Sequence, residues 1–332
     1  MEKIKQNPII KKLGFNRIIL TLVLILMYVL FSVMVDRFAG LPRILSALNY
    51  AYFLGFLALG VTFVIATGGI DFSIGPVMFC SALISGYCLT SYGMPVGLSL
   101  VISILVGLVF GIFNGYLVSY WSVPPFIVSM ASMNIAKGVA SVFTKTQTVM
   151  WPQRATEQGW FRNLVSIKLQ KSIGPLQEIP TGLIIFLVVA VICGIVLNKT
   201  KAGRYILSLG SNKEAVRLSG VNVKKYEMLA YVICGLLVGI AAIFYVGAYT
   251  TVQPGYGDQY NNEAIAGAVM GGTSMAGGLA SIGGTVIGVF IIGLLQEGIL
   301  ALGFTKNYQM IITGIIVIVA VYADVSARRR KN

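Results

Sequence analysis

The residues of this chain that could do chemistry are a few polar side chains set inside apolar runs. Asp71, Glu263 and Glu297 each stand within or beside stretches of Leu, Ile, Val, Ala and Gly, as do Ser73, Asn114, Asn134, Asn262, Ser274 and Gln309. A carboxylate placed in hydrocarbon costs roughly 2.5–3.5 kcal/mol, so each must face a partner or a polar cavity. Neutral Asn, Gln and Ser side chains both donate and accept, which suits a pathway for a hydroxyl-bearing solute. For each residue alone, hydrogen bonding between helices is the more ordinary role. Asp71 and Ser73 are read first as caps of the helix that follows them, bonded to its backbone amides. Shaping a break in a pathway is a second role compatible with capping. Lys137 is a suitable ion-pair partner for Glu297.

The inventory removes much other chemistry. Histidine is absent, which excludes imidazole zinc sites, histidine-activated nucleophiles and histidine proton relays. Cys80, Cys88, Cys193 and Cys234 all sit in apolar runs without metal or disulfide spacing, and read as small core residues. The stretch from Gly278 to Thr285 has the glycine spacing of a P-loop, but Gly284 stands where the lysine belongs. It is therefore not a nucleotide site. No acid, base and metal set clusters, so an intramembrane enzyme is the weakest class.

The elements that position these residues follow from composition. The 332 residues are 57% hydrophobic and 11% charged, with a mean hydropathy of +0.85. A soluble domain carries roughly 25% charged residues, so soluble globular, disordered and nucleic-acid-binding classes are excluded. Apolar runs cover residues 18–35, 44–66, 73–90, 96–118, 125–143, 181–197, 228–249, 282–302 and 308–323. Each approaches the roughly 20 residues that span a bilayer. Residues 263–272 form a shorter, glycine-ended segment, read as a tenth, half-length or broken span. The first run is longer than a typical signal-peptide core and lacks a small-x-small cleavage site, so it is read as a retained helix.

The net charge of +14 is a matter of topology. Basic residues concentrate in the N-terminal tail (Lys3, Lys5, Lys11, Lys12, Arg17), in residues 198–227 (Lys199, Lys201, Arg204, Lys213, Arg217, Lys224, Lys225) and in the C-terminal tail (Arg328, Arg329, Arg330, Lys331). The positive-inside rule places all three in the cytoplasm. Two cytoplasmic termini demand an even number of spans, which ten satisfies. The chain then divides into a basic tail 1–17, a transmembrane domain 18–326 and a basic tail 327–332. Residues 144–180 lie outside, where Trp151, Trp160 and Phe161 would suit an interface.

Two glycine-rich breaks interrupt the apolar pattern, one from Thr67 to Pro76 and one from Gly271 to Gly284. Each follows an apolar segment and precedes a long apolar run, once in each half. Backbone that is not helical survives at depth only beside protein or a cavity, and breaks at corresponding positions point to an internally repeated transporter. Gly107, Gly111 and Gly115 form overlapping GxxxG steps that permit close approach of another helix. The expected fold is all-α: a polytopic integral membrane helical bundle of about ten transmembrane segments, with pseudo-repeated halves and glycine-broken helices.

Within residues 198–227, Ser211-Asn212-Lys213-Glu214 has the form of a capping box, with Ser211 at the cap and Glu214 reaching back. Gly220 is a natural stop. A helix of about two turns is far too short to stand alone. It requires a surface to lie on: a groove of another cytoplasmic protein, or acidic lipid headgroups.

Longer stretches carry a family resemblance. The run from Leu209 to Val223 resembles the cytoplasmic coupling segment of ABC-importer permeases of the ribose/simple-sugar type. Gly68-Gly69-Ile70-Asp71-Phe72-Ser73-Ile74-Gly75 resembles that family's GGIDLSVG motif. Asn114-Gly115-Tyr116-Leu117-Val118 with Pro124-Pro125-Phe126-Ile127 resembles its NGxLV and PPFI stretches, and Gly271 to Gly278 its GGTSxxGG. The chain departs from the family at Gln296-Glu297-Gly298, at Asn261-Asn262-Glu263 and at Lys137, where arginine is usual.

The resemblance implies a permease that forms the pathway for a monosaccharide or similar small polar solute, in a bacterial inner membrane. It implies a second permease subunit, an ATP-binding-cassette ATPase and an extracytoplasmic substrate-binding protein. ATP and magnesium would be held by the ATPase, and the permease itself would bind no cofactor or metal. Ser211, Asn212, Lys213, Glu214, Ala215, Arg217, Leu218, Ser219 and Gly220 would couple to that ATPase. Phe126 joins Asp71, Ser73, Asn114, Asn134, Asn262, Glu263, Ser274, Glu297 and Gln309 as a candidate for the pathway. An ion-coupled secondary transporter using Asp71, Glu263 or Glu297 is the alternative class.

Overall fold

The computed structural model describes residues 15–173 and 176–329. The N-terminal lysines Lys3, Lys5, Lys11 and Lys12 and the last residues Arg330 and Lys331 lie outside them. Five long helices come first: α1 (Phe15–Met34), α2 (Leu41–Ala66), α3 (Ile74–Tyr92), α4 (Val96–Ser119) and α5 (Pro125–Phe143). The segment that follows holds β1 (Val149–Met150), a 3₁₀ helix (Glu157–Leu164), β2 (Ile167–Ile173) and β3 (Leu176–Ile179). Then come α6 (Thr181–Lys199), α7 (Lys201–Ser211), α8 (Lys213–Leu218), α9 (Val223–Ala248), β4 (Thr251–Val252), α10 (Asp258–Met270), α11 (Ile282–Ala301) and α12 (Lys306–Arg329). Among the described residues, eight helices are long and apolar enough to cross a membrane. The protein is a multi-pass helical membrane bundle. The half-length segment is α10, 13 residues long.

Burial separates central from peripheral helices. Every residue of α2 from Tyr50 to Ala66 is buried, as befits a helix that is apolar on all sides. The α3, α9 and α11 helices are largely buried as well, whereas α1, α4, α5 and α6 keep most of their surface open. Their outward side chains include Val101, Leu105 and Val109 on α4 and Ile184, Val188 and Val191 on α6. Such faces suit hydrocarbon, where outward apolar residues carry no solvation cost.

The GxxxG steps of α4 meet a matching pair on α9. A Cβ at Gly107 would lie 2.5 Å from the Gly235 carbonyl oxygen, and one at Gly111 would lie 2.6 Å from that of Tyr231. Gly235 and Gly239 on α9 approach α4 equally closely. The Ser103 hydroxyl donates to the Gly239 carbonyl across this seam. The contact lies within one chain and ties the first half of the bundle to the second.

The 144–180 segment is more structured than its composition suggests. Strand β1 pairs antiparallel with β4, and β2 with β3. Of its three large aromatics only Trp160 is exposed; Trp151 and Phe161 are buried. The Trp151 indole donates to the Ala82 carbonyl on α3 at 3.2 Å. Trp151 is thus a core residue rather than an interfacial one, because β1 lies against α3.

Candidate functional site

The two breaks close in the same way. Helix α2 ends with Gly68 at φ +86°. The Gly68 amide donates to Ile65 and the Gly69 amide to Val64. Helix α10 ends with Gly272 at φ +93°. There the Gly272 amide donates to Val269 and the Thr273 amide to Ala268. This is the Schellman pattern, and it requires a residue that tolerates positive φ. One glycine-dependent stop therefore occurs in each half, followed by α3 in one case and α11 in the other.

The first break is held by a buried polar network. Asp71 Oδ1 accepts from the Ser73 amide (2.8 Å) and the Ser73 hydroxyl (2.6 Å). Asn114 on α4 donates to Ser73 Oγ at 3.0 Å, and Ser132 on α5 donates to Asn114 Oδ1. Asp71 and Ser73 thus form a local turn bonded to α4 and make no side-chain cap to the amides of α3. That cap comes from α10: Asn261 Oδ1 accepts from the Gly75 amide at 2.7 Å. Asn261 Nδ2 donates to the Phe72 carbonyl at 2.6 Å, so one carboxamide bonds both sides of the break. Asn262, the residue singled out from the sequence, is exposed on the other side of the helix.

The remaining polar candidates divide by burial. Glu263 is buried and accepts from the Tyr50 hydroxyl and from Gln309 Nε2 (3.2 Å), joining α2, α10 and α12. Ser274 is buried in the tight turn after α10, where its carbonyl accepts from the Gly277 amide. Glu297 pairs with Arg43 at 2.7 Å and not with Lys137. Lys137 instead pairs with Asp258 at the start of α10, at 2.5 Å. Asn134, one turn before Lys137 on α5, is exposed, and so is Asn262, one turn after Asp258 on α10. Phe126 is also exposed, with its ring edge-on to Phe72. The bundle therefore presents a polar stripe on two helices, with exposed Asn134, Asp258 and Asn262 flanking the half-buried Lys137.

The 198–227 segment folds as three capped helices. Thr200 Oγ1 accepts from the Gly203 amide at the start of α7. Asn212 Oδ1 accepts from the Ala215 amide at the start of α8, at 2.9 Å. Asn222 Oδ1 accepts from the Lys225 amide at the start of α9. The α8 cap is thus Asn212, one residue later than the capping-box pattern implies. Ser211 belongs to the last turn of α7, where its hydroxyl bonds to Leu207. Glu214 pairs with Arg217 rather than reaching back, and the guanidinium holds its carboxyl below the ordinary carboxylate range. Lys213 grips both carboxylate oxygens of Glu227 on α9, at 2.7 and 2.9 Å. Only Val216 of α8 is buried; Leu218 is 74% exposed.

The far end of α7 touches both breaks at once. The Gly278 amide donates to the Ala66 carbonyl at 3.0 Å. Gly210 fits into this contact so closely that a Cβ there would lie 2.1 Å from Ala66 O and 2.3 Å from Gly278 N. A Cβ at Gly277 would lie 2.8 Å from both Gly210 Cα and Gly68 N. Three backbones meet without intervening side chains: the end of α2, the loop after α10 and the end of α7.

The chain is similar to several known proteins. Residues 43–321 match the family described as the permease component of branched-chain amino acid transport systems. The chain is 33% identical over 305 residues to the ribose import permease protein of Escherichia coli, covering 91% of each. It is 29% identical to the fructose import permease protein of Rhizobium meliloti, over 91% of this chain and 83% of that one. It is 28% identical to the xylose transport system permease protein of Haemophilus influenzae, over 97% and 99%. Among solved structures, a metal-chelate type ABC transporter in an inward-facing conformation covers 92% of this chain and 98% of its own, with a TM-score of 0.52 at 16% identity. That last likeness is one of fold.

Proposed function

The chain belongs to the family of ABC-importer permeases, and from that premise we propose that it carries a monosaccharide or similar small polar solute into a bacterial cell. Relatives named for ribose, fructose and xylose support that solute class. The open stripe of Asn134, Lys137, Asp258 and Asn262 supports a pathway along α5 and α10. Polar side chains directed out of a bundle at membrane depth are costly in lipid, and neutral carboxamides beside an ion pair suit hydroxyl groups.

The observation that carries the mechanism is the backbone junction at Gly210. Helix α8 has one buried side chain, so most of its surface is available to a partner. In this reading a cytoplasmic ATPase receives α8 in a cleft, and closure of the ATPase on ATP and magnesium moves α8 and α7 together. Because Gly210 lies against both breaks, that movement reaches both halves of the bundle. The permease hydrolyses nothing itself. A second permease copy or relative completes the pathway, and an extracytoplasmic binding protein delivers the solute. The basic tails and the 198–227 segment face the cytoplasm of the inner membrane.

Reconstitution tests this reading. Proteoliposomes holding the permease with its ATPase and binding protein should accumulate sugar when ATP is supplied, and should keep doing so with a protonophore present. Accumulation by the permease alone on an ion gradient would overturn it.

A further inference from the structure

A cavity of about 350 Å³ opens where the 144–180 segment meets α2 and the end of α9, at the opposite end of α9 from the coupling helices. Asn49, Gln153 and Thr250 give it neutral polar walls. Arg162 also lines it, although only 5% of that residue is exposed. Its Nε donates to the Pro152 carbonyl at 2.8 Å and its Nη1 to the Gly247 carbonyl at 3.1 Å. Its Nη2 is buried and finds no acceptor among the described residues. A guanidinium keeps its charge and its five donors, and an unpaired buried donor on a charged group is costly.

The surrounding charge is unbalanced in the same direction. Arg154 also lines the cavity, held there by bonds from Nη1 to the Ser166 carbonyl (2.6 Å) and from Nη2 to Ser166 Oγ (2.9 Å). Burial, and secondarily the Arg154 charge, push the Arg162 pKa down. The facing anion is Glu178, which accepts from Ser166 Oγ and lies 3.9 Å from Lys168. Two arginines thus line the cavity with one carboxylate, and among the described residues that carboxylate pairs with neither of them. We infer that this cavity binds a small oxyanion, a carboxylate or a phosphate-type anion, held by the two guanidinium groups of Arg154 and Arg162 that line it. The bound anion joins the 144–180 segment to α2 and to the end of α9. The site is separate from the open stripe and from the coupling helices, and it stands whichever solute the permease carries.

The test uses the full chain in lipid nanodiscs. Trp151 and Trp160 are two of its three tryptophans, so intrinsic fluorescence reports on this segment. Titration with sodium acetate and with sodium phosphate, at ionic strength held constant with sodium chloride, should give a saturable change with at least one of them. Which one responds identifies the anion class, and neutral ribose should give none. Arg162→Lys loses the planar donor set and should weaken the response about tenfold. Glu178→Gln keeps an acceptor for Ser166 and removes the opposing charge, so affinity should rise severalfold. This second variant leaves the arginines in place and keeps the test sharp even where Arg162→Lys fails to fold. The absence of a saturable oxyanion response, an equal response to ribose, or an unchanged affinity in folded Glu178→Gln would overturn the inference.

Discussion

The side chain of Asn261 on α10 closes the first turn of α3 by accepting from the Gly75 amide at 2.7 Å. The same carboxamide donates to the Phe72 carbonyl on the other side of the break. A helix that starts inside a membrane leaves amides that no water can satisfy, and here the second half of the chain supplies the missing partner. Gly75 is required because a Cβ there would lie 2.1 Å from the Gly257 carbonyl oxygen. Asn261→Leu should therefore lower the unfolding temperature sharply, since each buried backbone group left unpaired costs about 1–3 kcal/mol. Asn262→Leu, on the exposed side, should leave that temperature nearly unchanged. Thermal unfolding in detergent checks the pair, and equal effects from the two variants would count against the bridging role.

The position of the α8 cap has a comparable consequence. Asn212 holds the Ala215 amide, while Ser211 is used by α7 and Glu214 by Arg217. Asn212→Ala should cost about 1 kcal/mol of local helix stability. Beyond that cap, the six-residue helix is held by the Lys213–Glu227 pair and the buried Val216, so its loosening should lower solute-stimulated hydrolysis by the partner ATPase. Ser211→Ala and Glu214→Gln should leave that hydrolysis close to the parent, because an exposed ion pair is worth little. A large loss with Ser211→Ala and none with Asn212→Ala would return the cap to Ser211.

The seam between α4 and α9 gives a prediction about the fold itself. A leucine at position 111 would have to occupy space already taken by the Tyr231 carbonyl and the Gly235 backbone. Gly111→Leu should prevent stable folding of the single chain, read as loss of a monodisperse peak in size-exclusion chromatography. Ile112→Leu, one position away on the exposed face, should behave like the parent. If Gly111→Leu folded and lost only its association with other subunits, the seam would not be the intrachain contact described.

Most of the bundle was legible because a membrane imposes a strong rule: a helix must be long and apolar to cross. The breaks were legible for a related reason, since glycine is the residue that takes a positive φ at least cost, as at Gly68 and Gly272. What escaped depends on phase or on distant pairing. Asn261 and Asn262 differ by one position, and only the helical phase of α10 decides which faces α3. Ser211 and Asn212 are both good caps, and the choice falls to Asn212 because α7 runs one residue further than a loop reading allows. Glu297 pairs with Arg43, which lies 254 positions away and which nothing local marks as its partner. Arg162 was hidden in a segment of mixed charge, where a buried arginine has no local signature.

Gly210 makes the coupling reading vulnerable to a single methyl group. A Cβ there would lie 2.1 Å from Ala66 O and 2.3 Å from Gly278 N, so Gly210→Ala must push α7 away from one or both breaks. The expected outcome is a protein that inserts and binds its ATPase but transports poorly, with ATP hydrolysis no longer stimulated by the loaded binding protein. Gly220→Ala is the matched control. It strains a positive φ of +80° but has no neighbour within 4 Å, so it should disturb α8 locally and leave the breaks alone. Equal and complete transport by Gly210→Ala would mean that movement of α7 reaches the bundle by another route.

The Lys137–Asp258 pair decides whether the open stripe lies on the route of the solute. The two groups are 2.5 Å apart, with side-chain exposures of 23% and 53%. A partly exposed pair contributes roughly 1 kcal/mol or less to stability, so neither Lys137→Gln nor Asp258→Asn should unfold the bundle. Each single variant nonetheless leaves an isolated charge beside the path, where it holds water and repels or traps a polar solute. Each should therefore raise the KM for uptake or lower its maximal rate. The double variant carries neither charge and should recover part of the loss. A double-mutant cycle on uptake, with unfolding temperatures measured alongside, separates the two cases. Coupling in uptake without coupling in stability places the pair on the route. Coupling in stability alone makes it a strut between α5 and α10, and the pathway must then be sought on another face of the bundle.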